Sequence, residues 1–309
     1  MSRNSVVLGS ASNLPASQFE PFLRSLRETS FEGLVVIFVS RMRDEDVASL
    51  ADLADQVICV DDRYPPIVPN IVVGALDRVR LTRGARRFYP AAYRMVGTAL
   101  RADPGSARAI DLEYRLQGIQ ALRYGHYLEF LRAHPSIDQV MISDLRDVVF
   151  QEDPFAADVD GLEVFLEEPH VRTTSEGFNR RWLVDLYGDE GLESLGDEVI
   201  SCSGVTFGTH AAMIGYLMAM VREVAKHTIP LGPHDQGVHN WLLYTGQLPG
   251  ASSIRNGAGR VQTMGAQAEV LVDSGGRVLN PDGTRPAVLH QYDRHGSLAA
   301  VLLERFSSA

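Results

Sequence analysis

The stretch Ser136-Ile-Asp-Gln-Val-Met-Ile-Ser-Asp-Leu-Arg-Asp-Val-Val-Phe-Gln-Glu-Asp-Pro-Phe155 predicts the centre of the fold. Its apolar run Val140–Ile142 is short and bounded by polar residues, as in a buried strand. Asp144 and Asp147 follow that run directly, and a second apolar run, Val148–Phe150, follows them. Because α/β sheets bind ligands at the carboxyl ends of their strands, we expect the two carboxylates to lie at a ligand site.

Carboxylates at the end of a buried strand need a compensating positive charge, since burying an unpaired charge is costly. Arg146 lies between the two acids in the sequence and can supply that charge. A divalent cation can do the same. A purely structural cluster of Asp144 and Asp147 around Arg146 is a third interpretation, and the residues alone leave the choice open.

Strand and helix patterns alternate over the first part of the chain. The predicted strands are Val6–Leu8, Leu34–Val39 and Gln56–Val60, and the predicted helices are Phe19–Arg27 and Asp44–Asp55. This alternation indicates a Rossmann-like α/β fold with a mostly parallel central sheet flanked by helices. The small residues Gly9, Ser10 and Ala11 predict a loop after the first strand, either a close approach to a ligand or an ordinary turn.

The remaining patterns continue the α/β character without a linker or repeat, so we expect one domain over residues 1–309. A long helix in two parts is predicted at Asp111–Ala133, and an irregular segment at Glu167–Gly196. Asp235 is a predicted helix N-cap. The tail 246–309 is glycine-rich with short strand candidates. Further predicted elements are the strands Leu162–Leu166, Val199–Gly208 and Ala287–Leu289, and the helix Ala211–Ala225.

Composition narrows the class of protein. The 309 residues carry a formal net charge of -10, which argues against a general nucleic-acid binder. No run approaches the ~20 apolar residues of a membrane span, and no signal peptide is evident. The two cysteines favour a reduced, cytoplasmic setting. A basic segment is predicted to be a solvated surface, with a phosphate-facing role as the alternative; its arginines are Arg78, Arg80, Arg83, Arg86 and Arg87.

Four short motifs occur in a fixed order along the chain. They are Arg123-Tyr-Gly-His-Tyr-Leu before Val140-Met-Ile-Ser-Asp144, Cys202-Ser-Gly-Val205, Asp235-Gln236 with Asn240, and Val288-Leu-His290. This order resembles the nucleotide-sugar glycosyltransferases of the GT-A fold, and most of all their family eight. The resemblance covers most of the chain. It implies transfer of a sugar from a nucleotide diphosphate donor, expected to be UDP-linked, to a hydroxyl of a small-molecule or glycan acceptor.

The resemblance also implies roles for individual residues. Residues 1–155 would form the nucleotide-binding half and residues 156–309 the acceptor and catalytic half. Asp144, Asp147 and His290 would ligate Mn²⁺ or Mg²⁺, which suits oxygen-rich coordination. Asp235 and Gln236 would be the catalytic pair facing the donor sugar. The implied donor contacts are Gly9, Ser10, Ala11, Asp61, Arg123, Asp144 and Arg294.

Three departures from the family pattern leave alternatives open. The acids stand as Asp144-x-x-Asp147 instead of Asp-x-Asp, so Arg146 can take over part of the metal's role. Cys202 replaces an asparagine, and a glycine-and-lysine phosphate clamp is absent, with Arg294 as the substitute. The alternative functions are a sugar-phosphate nucleotidyltransferase and a degenerate nucleotide-sugar-binding domain. The sugar, the stereochemical outcome and a homo-oligomeric state stay open.

Overall fold

A computed structural model describes residues 4–60, 69–82, 84–100, 119–227 and 234–307. Its strands are β1 (Ser5–Ser12), β2 (Leu34–Ser40), β3 (Gln56–Cys59), β4 (Gln139–Ser143), β5 (Val148–Phe150), β6 (Leu162–Leu166), β7 (Ser201–Thr209), β8 (Ala251–Ile254), β9 (Val261–Thr263), β10 (Leu271–Val272), β11 (Val278–Leu279) and β12 (Val288–His290). Its helices are α1 (Glu20–Arg27), α2 (Asp44–Ala51), α3 (Asn70–Leu81), α4 (Tyr89–Ala99), α5 (Ile119–Ala133), α6 (Gly177–Leu195), α7 (His210–Val224), α8 (Asp235–Tyr244) and α9 (Gly296–Phe306).

The central sheet has seven strands in the order β3-β2-β1-β4-β7-β6-β8. Most neighbours are parallel, and β7 runs antiparallel to both β4 and β6. The predicted α/β class with a mostly parallel sheet flanked by helices is therefore confirmed. Because β7 is reversed, its amino end lies beside the carboxyl end of β4, and this places Gly204 next to Asp144.

Alternating side chains of the central strands build two apolar layers, one on each face of the sheet. Val6 and Leu8 of β1 pack with α5 and α7 on one face, whereas Val7 packs with α1 on the other. This period-two division is what a strand covered on both faces requires. The continuous apolar run within β2 is explained in the same way, since its residues Val35–Val39 are all buried.

A small second sheet, in the order β5-β12-β9, pairs a strand near the end of the chain with a strand of the first half. Strand β12 pairs antiparallel with β5, and His290 lies opposite Val148. Val148 directly follows Asp147, so the pairing brings His290 to the acidic motif from more than a hundred residues away. The predicted strand at Ala287–Leu289 is confirmed, shifted by one residue.

The predicted irregular segment Glu167–Gly196 is wrong for most of its length, because α6 occupies Gly177–Leu195. The Glu176 carboxylate caps this helix by accepting from the N–H groups of Phe178 and Asn179. Gly188 interrupts the helix with a φ of 74°. The kink resets the helical phase, and this hides the apolar periodicity in the sequence.

Four other boundaries differ from the predictions. Strand β1 continues through Ser12, because Ser10–Ser12 pair with Phe38–Ser40, so the predicted loop at Gly9–Ala11 is wrong. Helix α2 ends at Ala51, before the predicted Asp55. Helix α5 is unbroken at Gly125, and Asp111–Gly118 lie outside the described residues. The tail ends in α9, whose Ala299 and Phe306 are buried.

Helices α3 and α4 form a hairpin with a small apolar cluster of its own around Leu76 and Tyr89. Among the described residues, no helix is long and apolar enough to cross a membrane.

Candidate functional site

A cavity of about 250 Å³ lies at the carboxyl end of β4. Strands β7 and β12, helices α5, α6 and α8, and the loops that follow β4 and β12 contribute to its walls. Seven of the residues predicted from the sequence meet there, and five further residues complete the lining. The lining residues are Gln120, Arg123, Asp144, Asp147, Trp182, Cys202, Ser203, Asp235, Gln236, His290, Gln291 and Arg294.

Asp144, Asp147 and His290 bring two carboxylates and one imidazole together. His290 Nε2 is 4.0 Å from Asp144 Oδ2 and 3.9 Å from Asp147 Oδ1, and one ligand atom of each residue lies within 4.8 Å of the others. These separations are too long for hydrogen bonds. They are about twice a metal–ligand bond of roughly 2.0 Å. The three residues can therefore hold a metal ion.

Gly204 allows this close convergence. A Cβ at that position would lie 2.5 Å from His290 Nε2 and 2.7 Å from Asp144 Oδ2. The Gly204 carbonyl also accepts a hydrogen bond of 2.7 Å from the Asp144 N–H. Residue 204 therefore fixes the backbone of Asp144 and must lack a side chain for Asp144 and His290 to meet.

The buried arginine of the site is Arg123, from α5. Its guanidinium donates to Asp144 and, at 2.9 Å, to Asp235 Oδ2. The Tyr124 hydroxyl donates to the same Asp235 oxygen at 3.0 Å. Asp235 is the first residue of α8, and its carboxylate forms these bonds instead of capping the helix, so the predicted N-cap is wrong; His234 takes that position.

Arg146, which the sequence places between the acids, pairs with Asp293 and acts on the two acids only at longer range. Its side chain is 54% exposed, and its guanidinium lies 3.5 Å from Asp293. Compensation of the acidic motif therefore comes chiefly from Arg123, which the sequence shows only as part of a distant helix. Arg123 pairs with Asp144 and Asp235, whereas the third carboxylate, Asp147, lies 3.9 Å from His290 Nε2, so the site can accommodate further positive charge.

The electrostatics of the three acids differ. Burial raises the pKa of Asp144, but Arg123 and then His290 oppose it, and the net shift is downward. Burial raises the pKa of Asp147, with Asp144 adding to the rise and His290 opposing it. Burial likewise raises the pKa of Asp235, against the opposing effect of Arg123. A bound cation would therefore stabilise the ionised forms of Asp147 and Asp235 most, because these are the two acids whose pKa is raised.

Gln236 joins the cavity to a polar network on its far wall. Its Oε1 accepts from the Ser203 N–H and from the Cys202 thiol, each at 3.3 Å. Its Nε2 donates to Asn179 Oδ1 at 2.9 Å and lies 3.5 Å from Glu167 Oε1. Burial raises the pKa of the Cys202 thiol well above its usual value, so a nucleophilic thiolate is disfavoured.

Glu167 and Gln291 are neighbours of the site that the sequence prediction missed. Glu167 follows β6 directly, the same signal that identified Asp144, and burial followed by Glu176 raises its pKa to about 7. Gln291 has a left-handed backbone with a φ of 59°, and its N–H donates to the Asp147 carbonyl at 2.7 Å. No sequence pattern marks such a backbone for a glutamine.

An aromatic wall closes one side of the cavity. Trp182 of α6 lines the cavity, and Phe178, one turn earlier, is 69% exposed, with 6.0 Å between the ring centroids. Helix α8 packs closely beneath Trp182, since a Cβ at Gly237 would lie 3.3 Å from the Trp182 Cβ. The wall thus stands beside Asp235 and Gln236. Arg294 also lines the cavity and pairs with Asp293 at 3.2 Å.

The predicted donor contacts near the first strand are placed differently. Gly9 faces Leu145, and Ala11 is buried in the core. The Ser10 hydroxyl hydrogen-bonds to the Tyr127 hydroxyl at 2.8 Å, one turn from Arg123 on α5. These three residues lie outside the cavity lining, and their contact with a nucleotide stays a prediction. Asp61 lies outside the described residues.

A scan of the chain against models of protein families and a search of curated proteins both find no match. The resemblance to family-eight glycosyltransferases therefore stays a prediction, and the geometry of the cavity is what bears on function.

Proposed function

We propose that the chain is a metal-dependent glycosyltransferase of GT-A type that uses a nucleotide diphosphate sugar, with a UDP-sugar as the expected donor. The observation that carries the proposal is the convergence of Asp144, Asp147 and His290 at the end of β4, beside the buried Arg123–Asp235 pair. A departing diphosphate needs positive charge, and this cluster has the ligand types that hold Mn²⁺ or Mg²⁺.

The residues of the site would have different roles in binding the donor. Asp144, Asp147 and His290 would hold the cation, which when bound supplies Lewis-acid stabilisation of the leaving diphosphate. The two terminal nitrogens of Arg123 are directed at the Asp144 and Asp235 carboxylates. Arg123 therefore acts on the donor by orienting these two carboxylates. Arg294 lines the cavity with a side chain that is 55% exposed beside Asp293, and its guanidinium would reach phosphate oxygens with charge-assisted hydrogen bonds.

Asp235 and Gln236 would face the donor sugar. Both side chains are fixed on more than one side, Asp235 by Arg123 and Tyr124, and Gln236 by Ser203 and Asn179. Fixed dipoles and charges near the anomeric carbon stabilise the charge that develops there in the transition state. Trp182 and Phe178 then border the acceptor side, which suits the flat apolar face of a glycan or another small molecule.

Titration calorimetry with UDP, UDP-glucose and UDP-galactose tests the proposal, each with Mn²⁺ and with chelator. We expect binding that requires the metal and that Asp147→Asn abolishes. Glu32→Gln, an acid remote from the cavity, is the matched control and should bind as the parent chain does. Absence of binding for all three compounds under both conditions would reject the proposal.

The same protein separates the two alternatives. Release of pyrophosphate from a nucleoside triphosphate and a sugar phosphate identifies a nucleotidyltransferase. Metal-dependent donor binding without hydrolysis or transfer to any acceptor identifies a degenerate binding domain. We expect instead slow, metal-dependent hydrolysis of one UDP-sugar, since water can replace an acceptor hydroxyl at the anomeric carbon.

A further inference from the structure

The α3–α4 hairpin has apolar residues on two faces, and the residues that the structure describes pack against only one of them. Its inner face contains Leu76 of α3 and Tyr89 of α4, together with partly buried apolar residues of both helices. Among the described residues, α4 carries a single charged side chain, Arg94. A helix that is apolar around most of its circumference normally has a partner on each apolar side.

The second apolar side of α4 is the outer hairpin face, formed by Phe88, Ala91, Met95 and Ala99. These four residues recur at intervals of three and four, so they share one stripe, within roughly 80° of arc. All four are exposed, Phe88 by 55% and Met95 by 71%. Ile71, in the first turn of α3, is 81% exposed. Large apolar side chains this exposed mark interaction surfaces when they occur together.

Positive charge accompanies this stripe. Arg87 and Arg94 precede Phe88 and Met95 in the sequence, lie on one flank of the outer hairpin face and are exposed. The Arg87 guanidinium sits over the Phe88 ring at 4.7 Å. Between residues 69 and 100 the sequence has one acidic residue, Asp77, against six arginines, whereas the whole chain carries a net charge of -10. The hairpin is therefore a cationic, apolar feature on an acidic protein.

We propose that the outer hairpin face docks onto the surface of an anionic lipid membrane. Phe88 and Met95 would enter the headgroup region while Arg87 and Arg94 meet lipid phosphates, the arrangement that interfacial helices adopt. Charge complementarity favours a membrane as the partner. The arginines match anionic lipid headgroups, and the exposed apolar residues match the acyl chains beneath them. The stripe runs along one side of a single helix, the geometry with which an interfacial helix lies on a bilayer. The proposal is independent of the sugar-transfer function.

Co-sedimentation of the full chain with vesicles tests the proposal, in chelator so that the metal site plays no part. We expect binding to phosphatidylcholine vesicles that contain phosphatidylserine, weak binding to phosphatidylcholine alone, and loss of binding at high salt. Arg87→Gln with Arg94→Gln should lower the partition coefficient by about fivefold per arginine. Phe88→Ser with Met95→Gln should also lower it severalfold.

Val301→Gln is the matched control, because Val301 is an apolar residue of α9 that is 60% exposed. It should bind like the parent chain, and thermal unfolding should show that all variants fold. Failure of the parent chain to bind anionic vesicles at low salt would overturn the proposal, as would equal binding by the hairpin variants. A dimer in sedimentation velocity that Phe88→Ser with Met95→Gln dissociates would assign the face to a second copy and also overturn it.

Discussion

The two ends of the central sheet carry cavities of opposite character. At the amino ends of β1, β2 and β4 lies the larger one, about 810 Å³, bordered by Glu32, His134 and Asp153. At the carboxyl end of β4 lies the smaller one, about 250 Å³, where Arg123 pairs with Asp144 and Asp235, and Asp147 lies beside His290. The difference teaches that buried charge, and not cavity volume, distinguishes the end of the sheet at which we propose the functional site.

The physical reason is the cost of desolvation. The polar groups of a large, open cavity need no compensating charge, because water solvates them. Buried carboxylates that lie within a few ångströms of each other destabilise the fold through desolvation and mutual repulsion. They are therefore typical of functional sites, where their charge has a role. The predictions below test whether the charged end and the open end differ in stability, in metal binding and in titration.

The largest expected effect comes from removing the buried guanidinium. Arg123→Met should lower the free energy of unfolding by about 3–5 kcal/mol, because Asp144 and Asp235 lose their shared partner inside the protein. Urea unfolding at neutral pH measures the change. Arg305→Met, which removes an exposed ion pair with Glu28, is the control and should cost under about 1 kcal/mol. Equal losses for the two variants would contradict the buried-charge account.

A glycine substitution tests the convergence of the metal ligands. Gly204→Ala places a Cβ against His290 and Asp144, so we expect Mn²⁺ affinity to fall by roughly 10–100-fold, the range seen when ligand orientation is disturbed. Calorimetric titration with Mn²⁺ measures it. Gly215→Ala, on α7 with open space around its Cβ position, is the control. Unchanged Mn²⁺ affinity in the Gly204 variant would show that the three ligands do not act together.

Glu167 provides a pH test at the same end of the sheet. Its pKa in the folded chain is raised from 4.5 to about 7, so the folded state binds more protons between these values than the unfolded state does. The stability that this group contributes is present below pH 4.5 and is lost as the pH rises through 7. Glu167→Gln should therefore be more stable than the parent chain at pH 8, by about 1–3 kcal/mol.

Unfolding curves measured from pH 5 to pH 8 check this shape. The stability difference between the Glu167→Gln variant and the parent should grow with pH over that interval. A difference that is constant with pH would mean that Glu167 titrates as an exposed acid does.

The smallest effect is expected at the open end. Glu32→Gln removes an exposed acid from the border of the larger cavity and should change unfolding by no more than about 0.5 kcal/mol. It should leave Mn²⁺ affinity unchanged. A loss of stability or of metal binding comparable to that of the Gly204 variant would abolish the contrast between the two ends.

The sequence predicts what depends on local pattern. Continuous apolar runs located β2, β4 and β6 within a residue or two, and position at a strand end identified Asp144 as a candidate site residue. The resemblance to family-eight glycosyltransferases added His290 to the same site. The strand-end rule applied to Glu167 would have found it, had the following segment not been interpreted as irregular.

What the sequence could not provide depends on contacts between distant segments. The choice of Arg123 over Arg146 as partner of Asp144 depends on the path of α5, 21 residues before the acid. The Asp235 carboxylate accepts a hydrogen bond from Arg123, 112 residues away, and does not cap its own helix. A charge-assisted bond to a buried guanidinium is stronger than a bond to a backbone N–H at a helix start. The left-handed backbone of Gln291 likewise has no pattern of its own, since glutamine rarely adopts it.

The most direct test of the central claim is anomalous diffraction at the manganese edge from crystals soaked with MnCl₂ and UDP. We predict one strong peak bonded to Asp144, Asp147 and His290 Nε2 at about 2.0–2.3 Å, with UDP phosphate oxygens completing the coordination. A UDP diphosphate bound by Arg146 or Arg294 with no manganese at the three ligands would contradict the account. So would a manganese peak found only elsewhere on the protein.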